Sequence, residues 1–314
     1  MKKAFLLLAL IAATTCAFSQ PDAPSVAFVA YWSKGDSFDF RVRKAIMEWD
    51  DDSLTKNDIT EYFANFSIAD SSNTSYTVVW TCPNELLSNW DLSRDMLYEL
   101  SKYRQSKVVY TTTPLGRYIG IKNWEEQAEI IRTMTDDILN LLAKDPDTDF
   151  EGMIQVAQSY LEEYGTKEGI EEMVPTELSH IHFPYGTVIP VNDTIRFEEK
   201  SEFMVGGNPI RVDVKLWLED ADSEKNRSVL IRESKLNPDD SRASLRELFT
   251  EMGVKSADIP KAVSESVFSV NTLIRYDFLP SPGVPAMINY RKIVRIDLRD
   301  VKSRREESLT VELL

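Results

Sequence analysis

The hydrophobic pattern changes period twice along this chain, and that change restricts the fold more than any other feature. From Ser25 to Lys122 short apolar runs alternate with polar residues, the period-two mark of half-buried strands. Phe38, Phe40 and Val42 alternate with Asp39, Arg41 and Arg43, and Tyr76, Val78, Trp80 and Cys82 share one face of their run. Between residues 123 and 174 apolar residues recur at helical spacing, with Trp124, Ala128, Ile131, Met134, Ile138, Leu141 and Leu142 in one stripe. A second helix is expected over 150–164, joined to the first by a short loop, so the two form an antiparallel hairpin. Beyond Thr187 the period returns to two, through Ile210, Val212, Val214, Leu216 and Leu218 and on to the last runs at 267–278, 287–298 and 308–314. Asn123 and Glu126 have the spacing of a capping box at the start of the first long helix, and Asp91 is placed to cap a shorter helix ahead of it.

Strands and helices therefore segregate along the sequence, which predicts an α+β fold and excludes alternating βαβ units. The expected architecture is mostly antiparallel curved sheet built from the N- and C-terminal flanks, with a central helical hairpin. Either both flanks share one large sheet with the hairpin on its concave face, or each flank makes its own sheet and the helices lie between. The first arrangement makes residues 20–314 a single large domain. The second divides them into a β subdomain at 20–122, a helical segment at 123–185 and a β subdomain at 186–314.

Residues 1–19 read as a secretory signal peptide. Lys2 and Lys3 precede an unbroken apolar stretch, Ala4 to Ala13, and small and polar residues follow. That stretch is too short to span a bilayer. Ala17 and Ser19 suit a cleavage after Ser19, with cleavage after Ala17 as the alternative. Cys16 is preceded by Ala13-Thr14-Thr15, a poor match to a lipidation site. The chain is expected to be exported, to the periplasm or beyond, with no membrane span in the mature part. Cys82 is then left to act as a small buried hydrophobe.

The net charge of −15 disfavours nucleic acid and electrostatic attachment to anionic lipid, both of which need a basic surface. A hydrophobic share of 43% with 28% charged residues is that of an ordinary globular chain.

Few residues suggest chemistry. His180 and His182, the only histidines, would project from one face if their segment were a strand, but a zinc site needs a third ligand, for which Asp193, Glu177 or Cys82 would have to serve. Asp145, Asp147 and Asp149 alternate as calcium-binding carboxylates can, yet Phe150 and Val156 stand where an EF-hand needs Gly and Glu. Both groups are weak metal candidates, and a helix-joining loop explains the aspartates as well. Trp49 and Trp217 lie opposite the apolar faces of their strands and are the candidates for an exposed stacking platform, against cross-strand packing as the plainer role. No G-x-S-x-G or phosphate-loop context occurs, no cofactor motif is present, and no pair of acids stands out from the 51 acidic residues.

Two segments, YTTTPLGRYIGIKNWEE at 110–126 and YDFLPSPGVPAMINYRK at 276–292, each place strand, Gly-containing turn and strand in succession. In this they resemble uncharacterised secreted proteins of Bacteroidota and the curved-sheet envelope proteins similar to lipoprotein carriers (LolA-like half-barrels). The resemblance implies a sheet curved around a cavity. With no catalytic motif, the sequence points to a non-enzymatic envelope or secreted protein holding an apolar small molecule or lipid between sheet and helices. A carboxylate-based hydrolase and a structural partner of another envelope protein are the alternatives.

Overall fold

The computed structural model describes residues 24–84, 92–144, 150–205, 208–298 and 301–314. The expected signal peptide, Asp91 and the aspartates Asp145, Asp147 and Asp149 lie outside these.

The two β flanks make one antiparallel sheet of eleven strands. The N-terminal flank contributes β2 (Ser37–Asp50), β3 (Ser53–Ser71), β4 (Tyr76–Pro83), β5 (Gln105–Thr112) and β6 (Tyr118–Ile121) as a meander. The C-terminal flank contributes β8 (Thr194–Val205), β9 (Asn208–Asp222), β10 (Arg227–Leu236), β11 (Val267–Leu279), β12 (Val284–Leu298) and β13 (Val301–Leu313) as a second. The two meanders join where β13 pairs with β2, Val311 opposite Val42 and Ser303 opposite Asp50. The sheet is open, with β6 and β8 as its edges. A separate two-stranded ribbon pairs β1 (Ser25–Phe28) with β7 (Thr187–Pro190).

The helices are α1 (Arg94–Glu99), which runs on into a 3-10 turn, α2 (Trp124–Leu142), α3 (Phe150–Tyr164), α4 (Lys167–Glu172), α5 (Thr176–His182), α6 (Pro238–Glu251) and α7 (Ile259–Ser264). The expected hairpin is α2 with α3, its stripe buried at Ala128, Ile131, Met134, Ile138 and Leu142. Two expected caps differ. Ser93 Oγ caps α1, accepting from the Met96 amide at 3.3 Å. Asn123 holds the N-cap position of α2 without a side-chain capping bond; its Oδ1 accepts instead from the Val109 amide at 2.8 Å. Its Nδ2 still reaches Glu126 at 3.0 Å.

The curvature of the sheet follows from what α5 touches. His182 meets Tyr110 of β5 at 2.8 Å, while Phe183, just past the helix, stacks on Tyr276 of β11 at 5.7 Å between ring centroids. Those strands are second and eighth in the sheet, about 29 Å apart if it were flat at ~4.8 Å per strand. A helix is only about 10–12 Å across, so the sheet must wrap around it. One continuous core results, joining Phe40, Trp80 and Tyr110 of the first flank to Ile181 of α5 and to Tyr276, Ile288 and Val311 of the second.

The β11–β12 turn locks the wrap. Gly283 O accepts both from Trp32 Nε1 at 2.9 Å and from Tyr185 Oη at 2.8 Å. Gly283 has φ +80°, and a Cβ there would lie 2.3 Å from the Val29 carbonyl oxygen. Gly283→Ala is therefore expected to lower stability by at least about 1–3 kcal/mol through backbone strain alone. Urea unfolding checks this, and an unchanged midpoint would show that the turn relaxes freely.

Candidate functional site

The segment Ser179–Phe183, whose alternating histidines allowed a strand, is helical through His182, with Phe183 at the C-cap. Pro175 occupies the N-cap of α5, and Glu177, Leu178, Ile181 and His182 are its buried residues. Residues two apart on a helix are separated by about 200°, so the two imidazoles point to nearly opposite sides, and the shared face a strand would give them does not exist. Leu178 and Ile181, with His182 one place further, already have helical spacing in the sequence, and Pro175-Thr176-Glu177 is a plausible helix start. Those were the available signals for α5.

His182 is fully packed. Its Nδ1 lies 2.7 Å from the Gly116 carbonyl oxygen, which can only accept, so Nδ1 carries the proton. Nε2 is then the acceptor for the Tyr110 hydroxyl at 2.8 Å. Both nitrogens are committed. Burial pushes the imidazole pKa down to about 4, against a smaller upward pull from the Gly116 bond. His180 packs on the Tyr290 ring at 4.6 Å, and burial, with the nearby Arg232 charge, lowers its pKa to about 4 as well. Its Nε2 is buried without a hydrogen-bond partner.

Glu177, another ligand considered for the histidines, is wholly buried. Its carboxylate takes the Tyr62 hydroxyl on Oε1 at 2.5 Å and the Lys44 ammonium on Oε2 at 3.1 Å. This ties α5 to β3 and β2. Glu171 on α4 likewise accepts from the Tyr118 hydroxyl at 2.5 Å and the Ile121 amide at 2.7 Å, tying α4 to β6. Asp193 accepts from the amide of Thr194. Among the described residues no three His, Cys, Asp or Glu side chains converge as a metal set. Cys82 is buried on the inner face of β4. The carboxylates whose pKa is shifted, Asp137, Asp222, Glu233, Asp240 and Glu306, are all lowered, each by lysine or arginine beside it. That is the behaviour of ion pairs, whereas a general acid needs its pKa raised.

Trp49 and Trp217 are half-buried. Arg304 covers the Trp49 ring, 4.4 Å from its centroid, so that ring is a cation–π partner within the sheet and not an open platform.

Two cavities flank α5 on the side of the C-terminal flank. The first, about 620 Å³, lies between α5, the β7 ribbon and β8–β9. Its wall is mainly apolar, with Leu178, Phe183, Ile189, Ile195 and Leu216, while Arg117, Tyr118, Glu171 and Glu199 supply polar groups. Val188 and Phe197 also line it and stay 60% and 39% exposed, so apolar surface is left open to whatever enters. The second, about 470 Å³, lies on the inner face of β8–β12. Strand register explains its character. One inward row runs Ile195, Leu216, Arg232, Ile274, Tyr290, and the next runs Phe197, Val214, Ser234, Thr272, Lys292. In these two rows β8–β9 contribute only apolar side chains, while β10–β12 contribute the polar ones, Arg232, Ser234, Thr272, Tyr290 and Lys292, around Ile274. The sequence carried this signal too: period-two alternation puts Arg232 and Ser234 on the same face as the buried Leu230.

Neither a protein-family model nor a curated protein matches the chain. Among solved structures it is similar to Ail, the attachment invasion locus protein of Yersinia pestis, at 8% identity and a TM-score of 0.16, with 90% of this chain and 100% of that one covered. An overlap that low carries no argument about fold or function. No helix among the described residues is long and apolar enough to cross a membrane.

Proposed function

We propose that this chain is an exported, non-enzymatic binding protein of the cell envelope that holds an apolar small molecule or lipid between its sheet and its helices. The export follows from the leader at residues 1–19, and the kinship proposed with carrier-like half-barrels from the segments at 110–126 and 276–292. The observation that carries the binding reading is the 620 Å³ apolar cavity beside α5, in the size range of small-molecule pockets. Val188 and Phe197 add to it, since apolar side chains left open at a concave site gain by being covered.

Native mass spectrometry of the protein purified from its host with little washing tests this. A discrete added mass of lipid size is the expected result. Ile195→Arg, which places a charge in the cavity wall on the edge strand, is expected to weaken binding of added dodecanol at least tenfold while leaving the circular dichroism spectrum unchanged. A bare chain that also ignores dodecanol would remove the proposal.

A further inference from the structure

We infer that the ligand of the apolar cavity is an amphiphile with an oxyanion head, a carboxylate or phosphate, and that Arg232 in the neighbouring polar cavity receives that head. The inference rests on the binding role proposed above and adds the ligand's class.

The two cavities share a wall. Glu199 lines both. Phe183 lines the apolar one, and Arg232 lies over its ring, 5.3 Å from the centroid. A tail in the first cavity would therefore place its head beside Arg232.

Arg232 is poorly served for so enclosed a cation. Its side chain is only 14% exposed. Its Nη2 donates to Glu199 at 2.6 Å, but its Nε is buried without a hydrogen-bond partner. His180 Nε2, at the same cavity, and the Tyr276 hydroxyl, whose ionisation Arg232 influences, are buried and unpartnered too. Buried polar atoms of this kind cost stability unless something bonds them. A guanidinium fork presents paired N–H donors, and the acceptor that fits it is a planar or tetrahedral oxyanion. The charge around the cavity agrees: Arg232 and Lys200 line it with Glu199 as the acidic residue of the lining, and Lys292, 3.9 Å from Glu307, lines it too. Ser234 and Thr272 add hydroxyl donors.

Glu199 is 41% exposed and occupies the position a ligand's oxyanion would take on Arg232. It is a resident competitor, displaced to solvent when the head binds. This gives the proposal a signed prediction, because removing the competitor should tighten binding.

Isothermal titration of the full chain with dodecanoate, dodecanol and inorganic phosphate separates the outcomes. Dodecanoate is expected to bind at least tenfold tighter than dodecanol. Arg232→Gln should erase that difference, and Glu199→Gln, at an exposed position that does not threaten folding, should widen it several-fold. Equal binding of dodecanoate and dodecanol, with no response to Glu199→Gln, would overturn the oxyanion head while leaving the apolar cavity standing. Phosphate binding as tightly as dodecanoate in an Arg232-dependent way would make this a free-anion site and overturn the amphiphile. Binding of none of the three would remove both readings.

Discussion

Lys44→Met is expected to destabilise the protein by roughly 3–5 kcal/mol, the cost of leaving a buried charge without its partner. Glu177 has no solvent exposure, and Lys44 is the cation that compensates it, 3.1 Å away. The Tyr62 hydroxyl satisfies the other carboxylate oxygen but brings no charge. Adding Glu177→Gln to Lys44→Met should recover most of the loss, since the amide oxygen can still accept from Tyr62 and nothing ionised remains inside. Chemical denaturation of the two variants decides the matter. If the double variant is as unstable as the single one, the loss comes from packing of the lysine stem and the charge balance is secondary.

The second large effect is on acid stability. An unfolded histidine titrates near 6.5, whereas His180 and His182 do so near 4 in the fold. Between those values the unfolded chain binds the proton and the folded one does not. Stability therefore rises with pH across that window. Each histidine's contribution is complete above about pH 6.5 and is lost as pH falls through about 4. At 1.36 kcal/mol per unit, that is about 3 kcal/mol for each ring. Asp240, held down to about 2 by Arg211 from an ordinary 3.8, acts at lower pH and is separable. Unfolding free energies measured from pH 7 to 4 should fall steeply for the wild-type protein, and His180→Gln should remove about half the slope. A flat profile for the wild type would mean that the imidazoles find water in the fold.

Much of this architecture was legible in the sequence, and the gaps have physical causes. The period-two runs located the strands of the large sheet, because one face of each is buried and the other is not. The runs fell short where both faces meet solvent. Strand β3 begins at Ser53, yet residues 53–61 are all exposed, so no alternation marks them. The order of strands across the sheet was open, since the joining of β13 to β2 is a long-range contact that local patterning does not encode. The helix α5 was hidden by Ser179-His180-Ile181-His182-Phe183, which alternates like a strand while its burial follows a helix. The polar cavity was hidden differently. Arg232, Thr272, Tyr290 and Lys292 come from three separate strands, and only their register brings them together. The aspartates 145, 147 and 149 fall outside the described residues.

The junction of β13 with β2 also dictates when the molecule can assemble. In the order of the eleven strands β13 holds the middle place, although it is made after all the others. Until it emerges, β2 and β12 are bare edges of two incomplete half-sheets, each a template for unwanted pairing. Closing the gap then joins positions about 270 residues apart, such as Val42 and Val311, so the decisive contact is among the most distant the chain can make. Such a topology delays completion of the sheet until the last of its strands is made. The whole sheet waits on the strand that is made last among the eleven.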